Sequence, residues 1–187
     1  MSSTRKVAVL VGSLREKSFS RLGALAVSKY APRTLEFQIV EIGTLPLYNQ
    51  DKDDNHAPPE EWVRFRERIK SADAVLFVTP EYNRSVPGVL KNAIDVGSRP
   101  YGQSVWNNKP AAVMSVSPGA IGGFGANHHL RQSLVFLNMP TMQQPEAYVG
   151  TAATLFGEDG TIENEATRSF FTTFAECFAH WIERTQI

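Results

Sequence analysis

Serine and arginine side chains are concentrated in a short segment between two apolar stretches, residues 7–11 and residues 22–27. The first stretch is β-branched and of strand length, and the second is typical of a helix. A loop that joins a strand to a helix N-terminus binds anions, because its backbone N–H groups and the helix dipole point at the ligand. Hydroxyl groups add hydrogen bonds, and an arginine neutralises charge. The segment predicts a binding site for a terminal phosphate group. Its candidate ligands are Ser13, Arg15, Ser18 and Ser20.

Two better-known phosphate loops do not match this segment. The Gly-x-Gly-x-x-Gly fingerprint is absent, because Gly12 is followed by no second glycine before Gly23. The Gly-x-x-x-x-Gly-Lys-Ser/Thr loop is absent as well. A hydroxyl-rich loop with few glycines suits a monophosphate that is held at one point. From the residues alone, an ordinary capped turn between strand and helix is the alternative.

Other kinds of site chemistry find less support in the sequence. The four histidines are scattered without the spacing of zinc ligands, so no metal site is predicted. Ser117 lacks the first glycine of the Gly-x-Ser-x-Gly turn of hydrolases. The single cysteine, Cys177, lies on an apolar helical face and is interpreted as a structural thiol. The acidic pair Asp53 and Asp54 is interpreted as part of a solvated loop.

Length and composition limit the classes of protein to consider. The 187 residues, 42% of them hydrophobic, predict a single domain spanning residues 1–187. The 19 basic side chains are balanced by 19 acidic ones, so no basic excess favours a nucleic acid ligand. The balance also disfavours a strongly acidic electron carrier that docks on basic partners. No segment fits a signal peptide or a membrane span, which predicts a cytoplasmic protein without membrane insertion.

Strand-like and helix-like segments alternate along the chain, which predicts a parallel sheet with helices on both faces. Strands are predicted at residues 7–11, 35–42, 74–79 and 110–116, with a fifth, interrupted strand within residues 139–149. Helices are predicted at residues 22–27, 60–71, 86–96, 126–136 and 162–184, and a polar loop at residues 52–59. Five strands favour a flavodoxin-like α/β three-layer sandwich with strand order 2-1-3-4-5. In that order the loops at residues 12–21, 80–85 and 117–123 converge, which suits one flat ligand with a phosphate tail.

The most specific segment of the chain is residues 79–95, Thr-Pro-Glu-Tyr-Asn-Arg-Ser-Val-Pro-Gly-Val-Leu-Lys-Asn-Ala-Ile-Asp. Together with Gly-Ser-Leu-Arg at residues 12–15, it resembles the bacterial NAD(P)H-dependent FMN reductase family, and in particular its soluble quinone, chromate and azo-dye reductases. The likeness continues nearly from end to end. Residues 45–48, 117–123 and 129–137 also match the family's motifs, and in the same order.

The resemblance implies a flavodoxin-like fold, non-covalently bound FMN, NADPH or NADH as co-substrate, and a homodimer or a dimer of dimers, that is, a homotetramer. It implies that the serine-rich loop holds the FMN phosphate and that the other two loops line the isoalloxazine ring. Tyr82 can lie against that ring as an aromatic wall. The implied cofactor-binding residues are Ser13, Leu14, Arg15, Ser18, Phe19, Ser20, Pro80, Glu81, Tyr82, Asn83, Arg84, Ser117 and Gly119.

The resemblance also implies an activity, in which the hydride chemistry belongs to the flavin and no catalytic side chain is expected. NAD(P)H would pass a hydride to N5 of the flavin and leave. A quinone, chromate, an azo or nitro compound, or free flavin would then take its place in a ping-pong cycle. Two alternatives are an electron-transfer flavoprotein without pyridine-nucleotide turnover and a flavin-binding regulatory module. The physiological acceptor and the choice between NADH and NADPH stay open.

Three features depart from the family pattern. Ser20 stands where relatives usually carry Asn, and this shorter group is still expected to reach the phosphate. Arg84 stands where relatives usually carry an aromatic residue, and our hypothesis is that it favours anionic acceptors. Gly125 and His128 replace an Arg and a Tyr that relatives commonly place in a subunit contact. The tetramer is therefore expected less than the dimer.

Overall fold

The computed structural model describes residues 4–185, so both ends of the predicted domain lie outside the described residues. Strands and helices alternate along this part of the chain. The strands are β1 (Arg5–Val11), β2 (Leu35–Ile39), β3 (Ala74–Thr79), β4 (Ala111–Val116) and β5 (Ala147–Val149). The helices are α1 (Phe19–Tyr30), α2 (Gln50–Asp54), α3 (Glu60–Lys70), α4 (Gly88–Gly97), α5 (Phe124–Phe136) and α6 (Glu165–Thr185), with a short 3₁₀ helix at Ala152–Thr154.

The strands form one parallel sheet in the order β2-β1-β3-β4-β5, which confirms the predicted order. Every residue of β3 and β4 is buried, as expected for central strands that helices cover on both faces. The edge strand β2 instead mixes buried, partly buried and exposed positions. The interruption predicted in the fifth strand is present. Thr141 makes an isolated bridge to Ala111, and regular pairing resumes only at β5.

Two hydrophobic cores lie on the two faces of the sheet, and they confirm the three-layer sandwich. On one face, α1 and α6 pack against the strands, with Phe171, Phe174 and Phe178 of α6 fully buried. On the other face, α3, α4 and α5 cover the sheet, and Trp62 and Trp106 are fully buried among them. Among residues 4–185, no helix combines the length and apolar character that crossing a membrane requires.

The segment that follows β2 differs from the prediction. The strand ends at Ile39, and part of the predicted loop forms the short helix α2. Asp53 of this helix is buried, and its carboxylate accepts two hydrogen bonds from the Arg66 guanidinium, at 2.8 and 2.7 Å. The same guanidinium donates from Nε to the Val96 carbonyl at 2.9 Å. The interpretation of Asp53 as a solvated loop residue is therefore wrong, because a buried arginine from α3 requires a counter-ion there, whereas Asp54 is exposed as expected.

We expect Asp53→Asn to lower the free energy of unfolding by roughly 3–5 kcal/mol, because the amide leaves the buried Arg66 charge uncompensated. Urea unfolding followed by circular dichroism measures the loss. The matched control is the exposed ion pair between Glu60 and Arg64 of α3, where Glu60→Gln should cost less than about 1 kcal/mol. Equal losses in the two variants would contradict the prediction.

Candidate functional site

Three loops leave the carboxyl edge of the sheet side by side. Val11, the last residue of β1, pairs with Val78, and Thr79 at the end of β3 pairs with Ser115 near the end of β4. The loops after β1, β3 and β4 therefore begin at nearly the same level. The structure places every sequence-predicted cofactor residue at this edge. Ser13, Leu14, Arg15, Ser18, Phe19 and Ser20 lie in the first loop or the start of α1, Pro80, Glu81, Tyr82, Asn83 and Arg84 in the second loop, and Ser117 and Gly119 in the third.

The first loop, residues 12–18, ends in a well-defined helix start. Ser18 is the N-cap of α1, and its side-chain oxygen accepts the Arg21 N–H at 3.2 Å. The first backbone bond of the helix runs from the Leu22 N–H to the Ser18 carbonyl at 3.0 Å. The N–H groups of Phe19 and Ser20 have no acceptor within the helix, because they lie in its first turn, and they can therefore donate to a ligand. The first turn of α1 carries no acidic residue, so this helix end favours an anion.

A second arginine, Arg21, lies beside this loop. A cavity of about 170 Å³ is lined by Ser13, Arg15, Arg21 and Glu41, among others, and Arg21 Nη1 lies 3.0 Å from Glu41 Oε1. The residue pattern of the loop alone does not point to Arg21. Its position could have identified it as a candidate. Arg21 lies in the first turn of a helix, where the helix dipole disfavours positive charge, so a basic residue there indicates a ligand of negative charge.

The second loop is a tight hairpin at residues 82–85. Its ends exchange two backbone hydrogen bonds, Tyr82 N–H to the Ser85 carbonyl at 3.1 Å and Ser85 N–H to the Tyr82 carbonyl at 2.9 Å. The two central residues, Asn83 and Arg84, have positive φ angles of 50° and 64°. This is the type I′ pattern that Asn and Gly favour, so Arg84 adopts a conformation that is uncommon for its residue type.

Helix α5 holds this hairpin in place at two points. Glu81 Oε2 accepts the Ala126 N–H at 3.1 Å, and Ser85 Oγ lies 2.9 Å from His129 Nδ1. The contact leaves no space at Gly125, where an added Cβ would lie 2.9 Å from the Arg84 carbonyl oxygen and 3.0 Å from Glu81 Oε2. Glycine at this position, a departure from the family pattern, thus allows the hairpin to approach the helix closely.

The third loop, residues 117–123, folds over the end of β5. The Ser117 N–H donates to the Val149 carbonyl at 2.9 Å, and the Gly119 N–H donates to Ser117 Oγ at 3.1 Å. Gly123 is the N-cap of α5 and has a φ of 75°, a left-handed conformation that glycine adopts readily. A Cβ built on Gly119 would meet only Ser117 Oγ, at 3.5 Å, so space remains above this part of the loop.

An aromatic patch next to the third loop is formed by the exposed Phe124 and His128 and the partly buried Tyr148. The Phe124 ring centroid is 4.1 Å from that of His128 and 5.4 Å from that of Tyr148. Tyr148 Oη lies 3.1 Å from His128 Nε2 and donates to Glu146 Oε1 at 2.7 Å. Burial, together with the hydrogen bond to Glu146, raises the pKa of Tyr148 to about 12. From the sequence, only His128 of this patch is recognised as a candidate contact residue. The pattern of residues within α5 cannot reveal that Tyr148 of β5 is its neighbour.

Comparison with known proteins assigns the family. Residues 5–154 match the family described as NADPH-dependent FMN reductase. The chain is 64% identical over 183 residues to a quinone reductase from Pseudomonas putida, and the match covers 98% of this chain and 97% of the relative. The chain belongs to the NADPH-dependent FMN reductase family. It is an oxidoreductase, and its cofactors are FMN and NAD(P)H.

Two other similar proteins agree with membership of this reductase family. The chain is 46% identical over 182 residues to a 2-hydroxy-1,4-benzoquinone reductase from a Burkholderia species, with 97% of this chain and 98% of the relative covered. In structure it is similar to the flavoenzyme NAD(P)H:acceptor oxidoreductase from Paracoccus denitrificans, with a TM-score of 0.92, 43% identity and coverage of 98% of this chain and 100% of the other.

The residues at the first loop of this FMN reductase suit a flavin phosphate. The Ser18 oxygen already accepts the Arg21 N–H, which leaves its hydroxyl proton available for an acceptor. The exposed guanidinium of Arg15 can neutralise a phosphate charge. Among residues 4–185, no group of three or more His, Cys, Asp and Glu side chains could hold a metal ion. The hydroxyl and guanidinium donors of the first loop are suited to an anion.

Gly125→Ala tests the close approach of the hairpin to α5. We expect the added methyl group to lower the free energy of unfolding by about 1–3 kcal/mol, because either the Arg84 carbonyl or the Glu81 carboxylate must move. Gly88→Ala is the matched control at the start of α4, where an added Cβ meets nothing within 4 Å. The control should be neutral or slightly stabilising. Chemical denaturation measures the free energy of unfolding of both variants. An unchanged value for Gly125→Ala would contradict the close contact.

Proposed function

We propose that this chain is an FMN-dependent NAD(P)H:acceptor oxidoreductase that reduces quinones by two electrons. We also propose that the chain forms a single functional domain. The observation that carries the proposal is the joint position of an anion-binding helix start and a rigid hairpin at the same edge of the sheet. The two relatives named for quinone reduction support this acceptor class. The cytoplasmic location inferred from the sequence stays a prediction.

The first loop provides the phosphate site in this proposal. Arg15 neutralises one charge, and the hydroxyl groups of Ser13, Ser18 and Ser20 donate hydrogen bonds. Ser20 lies in the first turn of α1 and is almost completely buried. The backbone N–H groups of Leu14, Phe19 and Ser20 complete the set of donors.

The hairpin and the third loop provide the ring site. Pro80, Glu81, Tyr82, Asn83 and Arg84 line one side, where backbone groups of a rigid turn can bind the polar edge of the flavin. Tyr82 is 48% exposed, so its ring is available as an aromatic wall. Ser117 and Gly119 close the other side.

FMN, when bound, supplies the hydride chemistry by accepting a hydride from NAD(P)H and giving it to the acceptor. The residues of the chain bind and orient the reactants, and no side chain is assigned a catalytic role. Asn83, Arg84 and Gly119 are exposed, so solvent reaches this edge and can provide the proton that quinone reduction needs. We infer that donor and acceptor use this open face in turn, which gives ping-pong kinetics. Chromate, azo and nitro compounds and free flavin are further proposed acceptors.

Stopped-flow absorbance tests this function. The purified holoenzyme is mixed anaerobically with NADPH or NADH and then with 1,4-benzoquinone. We expect the visible flavin band to bleach and then to recover fully, and the faster nucleotide identifies the donor. A bound flavin that neither nucleotide bleaches would support an electron carrier or a flavin-binding module instead. Failure to bind FMN after reconstitution would overturn the proposal altogether.

We also propose that the chain forms a homodimer through the face around α4. The segments that flank this helix carry four large apolar side chains that are highly exposed. They are Leu47 (80%), Tyr101 (90%), Val135 (75%) and Phe136 (82%). A groove of about 550 Å³ between α4 and α5 starts at Ser85 of the hairpin and reaches Phe136. Several large exposed apolar side chains on neighbouring segments are typical of an interaction site. A dimer of dimers would use a different face, and the aromatic patch at His128 is the candidate.

Phe136→Asp should convert the dimer into a monomer, because a carboxylate that replaces a large apolar side chain in the interface becomes desolvated there. Size-exclusion chromatography with light scattering measures the mass. Val63→Asp is the matched control, since Val63 is a 36% exposed apolar residue on α3 outside the groove. A dimer that survives the Phe136 change, or that the control also dissociates, would place the interface elsewhere.

A further inference from the structure

Arg84 is the exposed cation at the tip of the hairpin. Its side chain is 77% exposed, whereas that of its ion-pair partner Glu81 is only 14% exposed. The turn holds Arg84 at a φ of 64°, which is costly for a residue with a long side chain. Strained backbone conformations of this kind occur preferentially at ligand-binding sites. Arg84 is therefore a candidate for contact with the substrate rather than a residue that stabilises the fold.

Glu81 neutralises Arg84 only in part. One carboxylate oxygen accepts the Ala126 N–H at 3.1 Å, and the other is 3.6 Å from Arg84 Nη1, beyond the distance of a good hydrogen bond. The N-terminus of α5 already compensates the negative charge of Glu81. Most of the five N–H donors of the guanidinium remain available to a ligand at the rim of the ring site.

A planar guanidinium recognises two adjacent oxygen atoms that share a negative charge. Among quinones, the ionised form of a 2-hydroxyquinone offers this arrangement, because its enolate oxygen lies beside a ring carbonyl. On the basis of the proposed function, we propose that Arg84 is a specificity-determining residue that selects 2-hydroxyquinone anions as acceptors. Glu81 is the resting counter-ion that Arg84 exchanges for the substrate.

The chemistry of the reduction agrees with this selection. NAD(P)H is oxidised to NAD(P)+ and provides a hydride, and two protons come from solvent. The hydroxyquinone anion becomes an uncharged trihydric phenol, so the ligand loses its negative charge during the reaction. Arg84 therefore binds the oxidised acceptor in preference to the reduced product, which favours product release.

The test compares Arg84→Gln with the unmodified holoenzyme. The enzyme is first reduced with NAD(P)H, and the rate of reoxidation is then measured with 2-hydroxy-1,4-naphthoquinone, which is ionised at neutral pH, and with uncharged 1,4-naphthoquinone. We expect the ratio of the two second-order rate constants to fall about 10-fold in Arg84→Gln, which corresponds to about 1.4 kcal/mol. The ratio cancels effects of the variant that are common to both quinones, such as weaker FMN binding.

A binding measurement provides a second readout that needs no turnover. Calorimetric titration of the oxidised holoenzyme with 2-hydroxy-1,4-naphthoquinone, without NAD(P)H, should give a dissociation constant about 10-fold higher in Arg84→Gln. Glu81→Gln keeps an acceptor for the Ala126 N–H but removes the competing charge, so the rate ratio should rise. Arg64→Gln is the matched control, because Arg64 is an exposed arginine that is also paired with a glutamate, and the ratio should not change.

An unchanged rate ratio and dissociation constant in Arg84→Gln would overturn the role of Arg84. If uncharged 1,4-naphthoquinone is still reduced in that case, the proposed oxidoreductase function stands and only the specificity assignment fails. If the unmodified holoenzyme is neither bleached by NAD(P)H nor reoxidised by either quinone, the proposed function itself fails.

Discussion

The hydrogen bond between the Glu81 carboxylate and the Ala126 N–H joins the second loop to the first turn of α5, and the two residues lie 45 positions apart in the sequence. It satisfies a backbone donor that the first turn of α5 would otherwise leave without a partner, and it places a negative charge where the helix dipole favours one. The close packing of the hairpin against Gly125 depends on it. Because the hairpin and the third loop flank the proposed ring site, this contact and the one between Ser85 and His129 together set the position of the hairpin beside that site.

Buried polar contacts hold α5 to the sheet and so make the contact with Glu81 possible. The Asn127 amide donates to Ser115 Oγ at 3.2 Å and to the Ala147 carbonyl at 3.3 Å. Arg131 donates from Nε to Asn127 Oδ1 at 2.9 Å and from Nη1 to the Met142 backbone carbonyl at 3.0 Å. The helix is therefore attached to β4 and β5, and the second and third loops extend from a rigid support.

The sequence predicted the fold well because apolar periodicity is a local signal. The bounds of β3 were predicted without error, and the strand order followed from the alternation of strands and helices. The site was predicted less completely, since several of its features depend on distant partners. Asp53 could not be recognised as buried without Arg66 above it, and the positive φ of Arg84 depends on the two bonds that close the hairpin. The link between Phe124, His128 and Tyr148 requires the register of α5 on β5, which no local pattern contains.

The hydrogen bonds of the aromatic patch run in one direction. Tyr148 has one hydroxyl proton and gives it to Glu146, so towards His128 its oxygen can only accept. His128 must then carry a proton on Nε2, and in its neutral form this fixes the tautomer. The lone pair of Nδ1 is directed away from the phenol. In this tautomer, a molecule that docks on this side of the protein encounters a hydrogen-bond acceptor at Nδ1, and it must bring a donor to match.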